Sequence, residues 1–172
     1  MILDLSEVSK LSGYIIGLKR ALCIDYGDTR IGLAISDLEW KIASPLKVIK
    51  SRGVFQELFD IIVTHSVGIV IVGVPVSLGG DRAGMQYEKV QKFVNKLNEL
   101  AKRGGINISS VFWDERFSTV AASRFLEESV LSRQKRNQHI DKVAASFILH
   151  GFLEYIHQAI QIAVRGGPRA SC

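Results

Sequence analysis

The spacing of hydrophobic and polar positions changes several times along the chain, and each change marks a different kind of element. Residues 21–26, Ala-Leu-Cys-Ile-Asp-Tyr, form an apolar run interrupted by one carboxylate, and a second run starts at Ile31 after a turn containing Gly27. This pattern predicts two tightly joined strands over 21–26 and 30–37, with Asp25 inside the first. A third strand is expected at 45–50, where Pro45 suits a strand start or a sheet edge. Over 53–65 the period lengthens, placing Val54, Leu58, Ile61 and Ile62 on one face of a helix. Gly68-Ile-Val-Ile-Val-Gly73 is an unbroken apolar run, as in a strand buried on both faces, and it leads into a loop with Pro75, Gly79 and Gly80.

A long amphipathic helix is predicted over 82–103 from Tyr87, Val90, Val94, Leu97 and Ala101, with Phe93 and Leu100 widening the stripe. Gly104-Gly105 ends it. A strand at 106–113 then delivers Trp113-Asp114-Glu115-Arg116, and Ser118 is placed to cap a short helix ending near Glu128. The polar, basic stretch 132–139 predicts a loop before a last helix at about 140–160. Its expected apolar face comprises Ile140, Val143, Ala144, Phe147, Ile148, Gly151, Phe152 and Tyr155.

The resulting order, β-β-β-α-β-α-β-α-α, predicts an α/β fold with a mixed five-stranded sheet flanked by helices. In such sheets ligands bind beyond the carboxyl ends of the parallel strands. Residues 1–19 read as an N-terminal extension, 20–160 as the single domain and 161–172 as a C-terminal tail.

Net charge modifies this picture. At +5, with 22 Lys and Arg against 17 Asp and Glu, the chain suits a polyanionic partner, although a basic soluble protein with no nucleic-acid role has the same balance. Cys23 and Cys172 are its only cysteines, one in a predicted core strand and one at the terminus, which points to a reducing cytoplasm. Met1-Ile-Leu-Asp4 lacks the basic start of a secretory signal, and no apolar run reaches the length of a membrane span. No membrane partner is expected.

Candidate chemistry lies in the acids. Strands are depleted in aspartate, and a buried carboxylate needs a partner or a metal to offset its desolvation, so Asp25 demands a reason. Asp114 and Glu115 end the last strand, and Asp141 begins the final helix. If these acids converge, their mutual repulsion calls for divalent cations. All-oxygen ligands select magnesium or manganese, and two such ions roughly 4 Å apart activate water and stabilise the leaving oxygen of a phosphodiester. Each acid also has a plain structural reading. Asp25 could bond the turn amides of Gly27 and Asp28, Asp114 and Glu115 could be surface acids, and Asp141 could complement a helix N-terminus.

Four segments, taken in order, resemble the motifs of the YqgF family, also called RuvX. They are Cys-Ile-Asp25-Tyr-Gly27-Asp-Thr-Arg30-Ile-Gly32-Leu-Ala, Ile-Val-Ile-Val-Gly73-Val-Pro75, Asp114-Glu115-Arg116-Phe-Ser118-Thr119 and Ile-Asp141-Lys-Val-Ala-Ala145. The resemblance covers about residues 20–155. It implies an RNase H-like (ribonuclease H-like motif) fold, a bacterial cytoplasmic setting, and a nuclease maturing the 5′ end of pre-16S ribosomal RNA, with Holliday junction resolvase activity as a second assignment. It also implies that Asp25, Asp114, Glu115 and Asp141 are catalytic, metal-binding acids holding two Mg2+ or Mn2+ ions. The chain departs from the family in carrying Lys142 where a small residue is more usual, and Ala144 where RuvC-type resolvases have a further acid.

The expected partners are precursor ribosomal RNA and branched DNA, bound by a monomer or a homodimer. Arg30, Arg116, Arg133, Lys135, Arg136 and Lys142 are the expected phosphate contacts. The basic residues of the 82–103 helix read more readily as a solvated face. Two other functions fit parts of the pattern. A non-catalytic nucleic-acid-binding regulator could keep the fold without the chemistry. An ATP-binding module of the actin and Hsp70 type shares the Asp-x-Gly turn, but needs a second such domain that this length does not accommodate.

Overall fold

The computed structural model describes residues 2–3, 18–74, 81–114 and 133–165, with side chains for 18–74, 84–113 and 143–161. In chain order the elements are β1 (Ile2–Leu3), β2 (Arg20–Tyr26), β3 (Arg30–Ser36), β4 (Ala43–Lys50), α1 (Val54–Thr64), β5 (Val67–Val74), α2 (Asp81–Arg103), β6 (Ser109–Asp114) and α3 (Arg133–Arg165). The strands form one sheet in the order β1-β6-β5-β2-β3-β4. Strands β2, β5 and β6 run parallel, β3 is antiparallel to β2, and β4 is antiparallel to β3. All five predicted strands are present. Ile2–Leu3 adds a short sixth, parallel to β6, drawn from the segment read as an extension. Pro45 sits on the edge strand, opposite Ala34 beside a register shift, where its missing N–H costs no ladder bond to a further strand.

Alternation along the strands divides the core in two. Leu22 and Ile24 of β2, with Ile31 and Leu33 of β3, face Val54, Leu58 and Ile62 of α1 and Val90, Val94 and Leu97 of α2. Ala21, Cys23, Ala34, Val111 and Trp113 face the other way, onto Ala145, Ile148, Leu149, Phe152, Leu153 and Ile156 of α3. Central β5 is buried along its whole length, as its unbroken apolar run predicts. Among the described residues no helix is long and apolar enough to cross a membrane.

The last helix departs from expectation in two ways. It begins at Arg133, so the basic stretch expected to be a loop is helical. Gln, Lys and Arg are good helix formers, and 133–139 contains neither Gly nor Pro to break the backbone. The buried stripe is also rotated from the expected one. Ile148 and Phe152 are buried as predicted, whereas Tyr155 is 40% exposed and Ala145, Leu149, Leu153 and Ile156 fill the interface. Apolar residues occur on most sides of this segment, so periodicity alone does not select the covered side. The short helix expected after Ser118, and the Pro75–Gly80 loop, lie outside the described residues.

Phe152 anchors α3. Its ring lies 6.2 Å from Trp40 and 5.4 Å, edge-on, from Trp113, and it is fully buried. Trp40 is itself tied down by its indole N–H, which donates to the Lys19 carbonyl at 2.8 Å. Phe152→Ala is expected to destabilise the protein by about 3–5 kcal/mol, the range for emptying a buried aromatic site. Urea unfolding monitored by circular dichroism measures the loss.

Candidate active site

The carboxyl ends of β2, β5 and β6 lie along one edge of the sheet, where β2 contributes Asp25. Asp25 shares the face of Ala21 and Cys23, the face that α3 covers, because alternate residues of a strand point the same way. The register defines its surroundings. Asp25 is paired with Gly32 of β3 on one side and Gly73 of β5 on the other, and Gly73 is paired with Trp113 of β6. A half-buried carboxylate thus stands between two positions that carry no side chain. Beyond Gly73 the row is closed by Trp113, whose ring packs edge-on against Phe152 and lies 5.5 Å from Tyr155.

The turn after Asp25 is tight. The Gly27 amide donates to the Arg30 carbonyl at 3.1 Å, and the Ser51 hydroxyl donates to the Gly27 carbonyl at 2.7 Å. The Gly27 amide is therefore committed within the turn. A Cβ at position 27 would lie 2.5 Å from the Arg30 carbonyl oxygen, so only glycine fits this closure. Gly27→Ala is expected to cost about 1–3 kcal/mol, as overpacking against fixed backbone does. It should also lower any activity that depends on Asp25. Parallel melting and cleavage assays would show both effects.

Of the other predicted acids, Asp114 is the last residue of β6, at the same sheet edge as Asp25. Asp141 lies in α3 one turn before Ala145, a position on the sheet-facing stripe. The side chains of Asp114 and Asp141, and all of Glu115 and Arg116, lie outside the described residues. Among the described side chains no cluster of three or more His, Cys, Asp or Glu is present, and Asp25 is the one predicted acid they include. Arg133, Lys135, Arg136 and Lys142 fall within α3, with side chains likewise outside the description.

Arg30 is exposed at the start of β3 and has the parity of Gly32, hence of Asp25's face. It is paired across the sheet with Lys50 of β4, also exposed. The pairing sets two cationic positions side by side at the end of the β3–β4 ladder. Sequence reading identified Arg30 but missed Lys50, since only strand register puts the two side by side. It also missed the paired glycines, although an isolated Gly in a strand signals a bulge or a close approach.

Solved resolvases share this fold. One is RuvC from T. thermophilus in complex with a Holliday junction substrate, with a TM-score of 0.50 and 12% identity over 80% of this chain and 96% of that one. Another is the yeast mitochondrial Holliday junction resolvase, with a TM-score of 0.52 and 11% identity over 89% of this chain and 87% of that one. Identity this low establishes the fold, which is RNase H-like. The chain belongs to the RuvX family, described as Holliday junction resolvase, whose model matches residues 19–155, and it is thereby a member of a nuclease family. A relative in Caldanaerobacter subterraneus subsp. tengcongensis, named "Putative pre-16S rRNA nuclease", is 42% identical over 78% of this chain and 96% of its own length. A Methylocella silvestris relative of the same name is 33% identical over 92% of this chain and 96% of its own.

Proposed function

We propose that the protein is a metal-dependent nuclease that hydrolyses phosphodiester bonds at the carboxyl edge of β2, β5 and β6, with the 5′ region of pre-16S ribosomal RNA as its substrate. The observation that carries this reading is Asp25, a half-buried strand carboxylate set between Gly32 and Gly73 on the face α3 covers. Strands are depleted in aspartate, and the paired positions on both sides of Asp25 carry no side chain. Hard carboxylate oxygens suit Mg2+ or Mn2+.

Asp25, Glu115 and Asp141 are the proposed ligands. Strand parity favours Glu115 over Asp114. Trp113 lies on Asp25's face and Phe112 packs toward the α1/α2 core, so position 114, the last of β6, has the parity of the face turned away from Asp25. When bound, the two ions would supply an activated water and charge stabilisation for the leaving oxygen. The chain's own part is to hold the carboxylates in a fixed array and to position the strand. Arg30 and Lys50 grip a phosphate at the rim, joined by Arg116 and by Arg133, Lys135, Arg136 and Lys142 of the α3 entrance.

The names of the relatives favour ribosomal RNA, and the family description favours junctions. A bacterial cytoplasmic setting is part of the proposal, consistent with bacterial relatives and with Cys23 buried in the sheet. The test is incubation of labelled precursor RNA, single-stranded DNA and four-way junctions with and without manganese. Manganese-dependent cutting of the precursor near the mature 5′ end supports the reading. Cutting of junctions alone would transfer it to the resolvase role. Nucleic-acid binding with no cleavage of any substrate would leave a non-catalytic regulator.

A further inference from the structure

Helix α2 carries a line of cations that the proposed site does not use. Lys89, Lys92, Lys96 and Arg103 are all exposed. At about 100° per residue they fall within roughly 60° of arc, away from the buried Val90, Val94 and Leu97, and they span about 21 Å of helix. An ordinary solvated face mixes signs at three- and four-residue spacing, because like charges there repel. Here Lys89, Lys92 and Lys96 follow one another with no acid between them, and Glu99, about 20° outside the arc, lies 3.8 Å from Arg103. The Lys96 ammonium stands 4.5 Å from the centre of the Phe55 ring of α1. Phe55, Lys92, Lys96 and Arg103, with Glu99 among them, line a groove of about 490 Å³.

The line reaches the turn that follows Asp25. At its near end the Lys89 ammonium lies 3.3 Å from the Asp28 carboxylate, in the turn just after Asp25. From that turn the cations lead away along the opposite side of the sheet from α3. A membrane surface would call for bulky apolar residues along the stripe to insert, whereas a row of single cations starting at a phosphodiester site matches a chain of phosphates.

We infer that the α2 stripe binds the phosphate backbone of the nucleic-acid strand flanking the scissile bond. This rests on the nuclease reading of the Asp25 site, but the binding needs no cleavage and is measured without it. Anisotropy titrations would use labelled single-stranded RNA of about 6 and about 18 nucleotides, bracketing common single-strand site sizes, with calcium in place of manganese. Wild type should bind the longer RNA more tightly. The triple variant Lys92→Ala, Lys96→Ala, Arg103→Ala should lose at least about tenfold on the longer RNA and little on the shorter. Its salt slope should be shallower by about 2, for three lost phosphate contacts on a single strand. The charge-preserving variant Lys92→Arg, Lys96→Arg, Arg103→Lys should restore binding, and circular dichroism checks that each variant is folded.

Unchanged affinity and slope in the triple Ala variant would overturn the inference, as would an equal loss at both lengths. Loss of binding to an acidic peptide or to phosphatidylserine vesicles, with RNA binding intact, would also overturn it and reassign the stripe. Failure of the nuclease reading shows separately, as absence of manganese-dependent cleavage by wild type on the same RNAs.

Discussion

Asp25→Asn should lower metal-dependent cleavage by about 10³-fold or more, the scale on which removing one preorganised electrostatic group acts in an active site. Folding should be little affected. The amide is nearly the same size as the carboxylate, and the paired positions on both sides are Gly32 and Gly73, so nothing needs to repack. Single-turnover cleavage at saturating manganese, alongside a thermal melt, separates the two effects. Activity within tenfold of wild type would remove Asp25 from the mechanism. A large drop in melting temperature would mean that the carboxylate serves the fold.

The second large effect distinguishes two adjacent acids. Glu115→Gln should cost on the order of 10³-fold in cleavage, while Asp114→Asn should stay within about tenfold. The difference follows from the register of β6, in which Trp113 faces α3 and Phe112 faces the α1/α2 core. Counting on from those residues, position 114, the last of β6, has the parity of the face opposite Asp25. The same single-turnover assay checks both variants, and a greater loss in Asp114→Asn would overturn the parity argument.

That distinction is absent from the sequence alone, because alternation shows that two neighbours differ in face but not which face holds the active site. Much else was legible. The apolar runs at 21–26 and 68–73 predicted β2 and β5, and the spacing of Val90, Val94, Leu97 and Ala101 predicted the buried side of α2, although Tyr87, read on the same stripe, is 43% exposed. Asp25 stood out because an acid inside an apolar strand conflicts with local propensity. The misses share a physical cause, since each depends on contacts between segments distant in the chain. Ile2–Leu3 is too short to carry a period and is a strand only through its pairing with β6. The helical stretch from Arg133 lacks an apolar stripe, so its propensity was outweighed by its polarity. The glycines beside Asp25 and the Arg30–Lys50 pair exist only once register is fixed.

The central claim is that Asp25 holds a catalytic divalent metal. Anomalous diffraction from crystals soaked in manganese tests it most directly. The account predicts manganese bonded to the Asp25 carboxylate at the carboxyl edge of β2, with Glu115 and Asp141 oxygens among the other ligands. Manganese bound elsewhere with Asp25 uncoordinated, in crystals of protein that cleaves RNA, would contradict it.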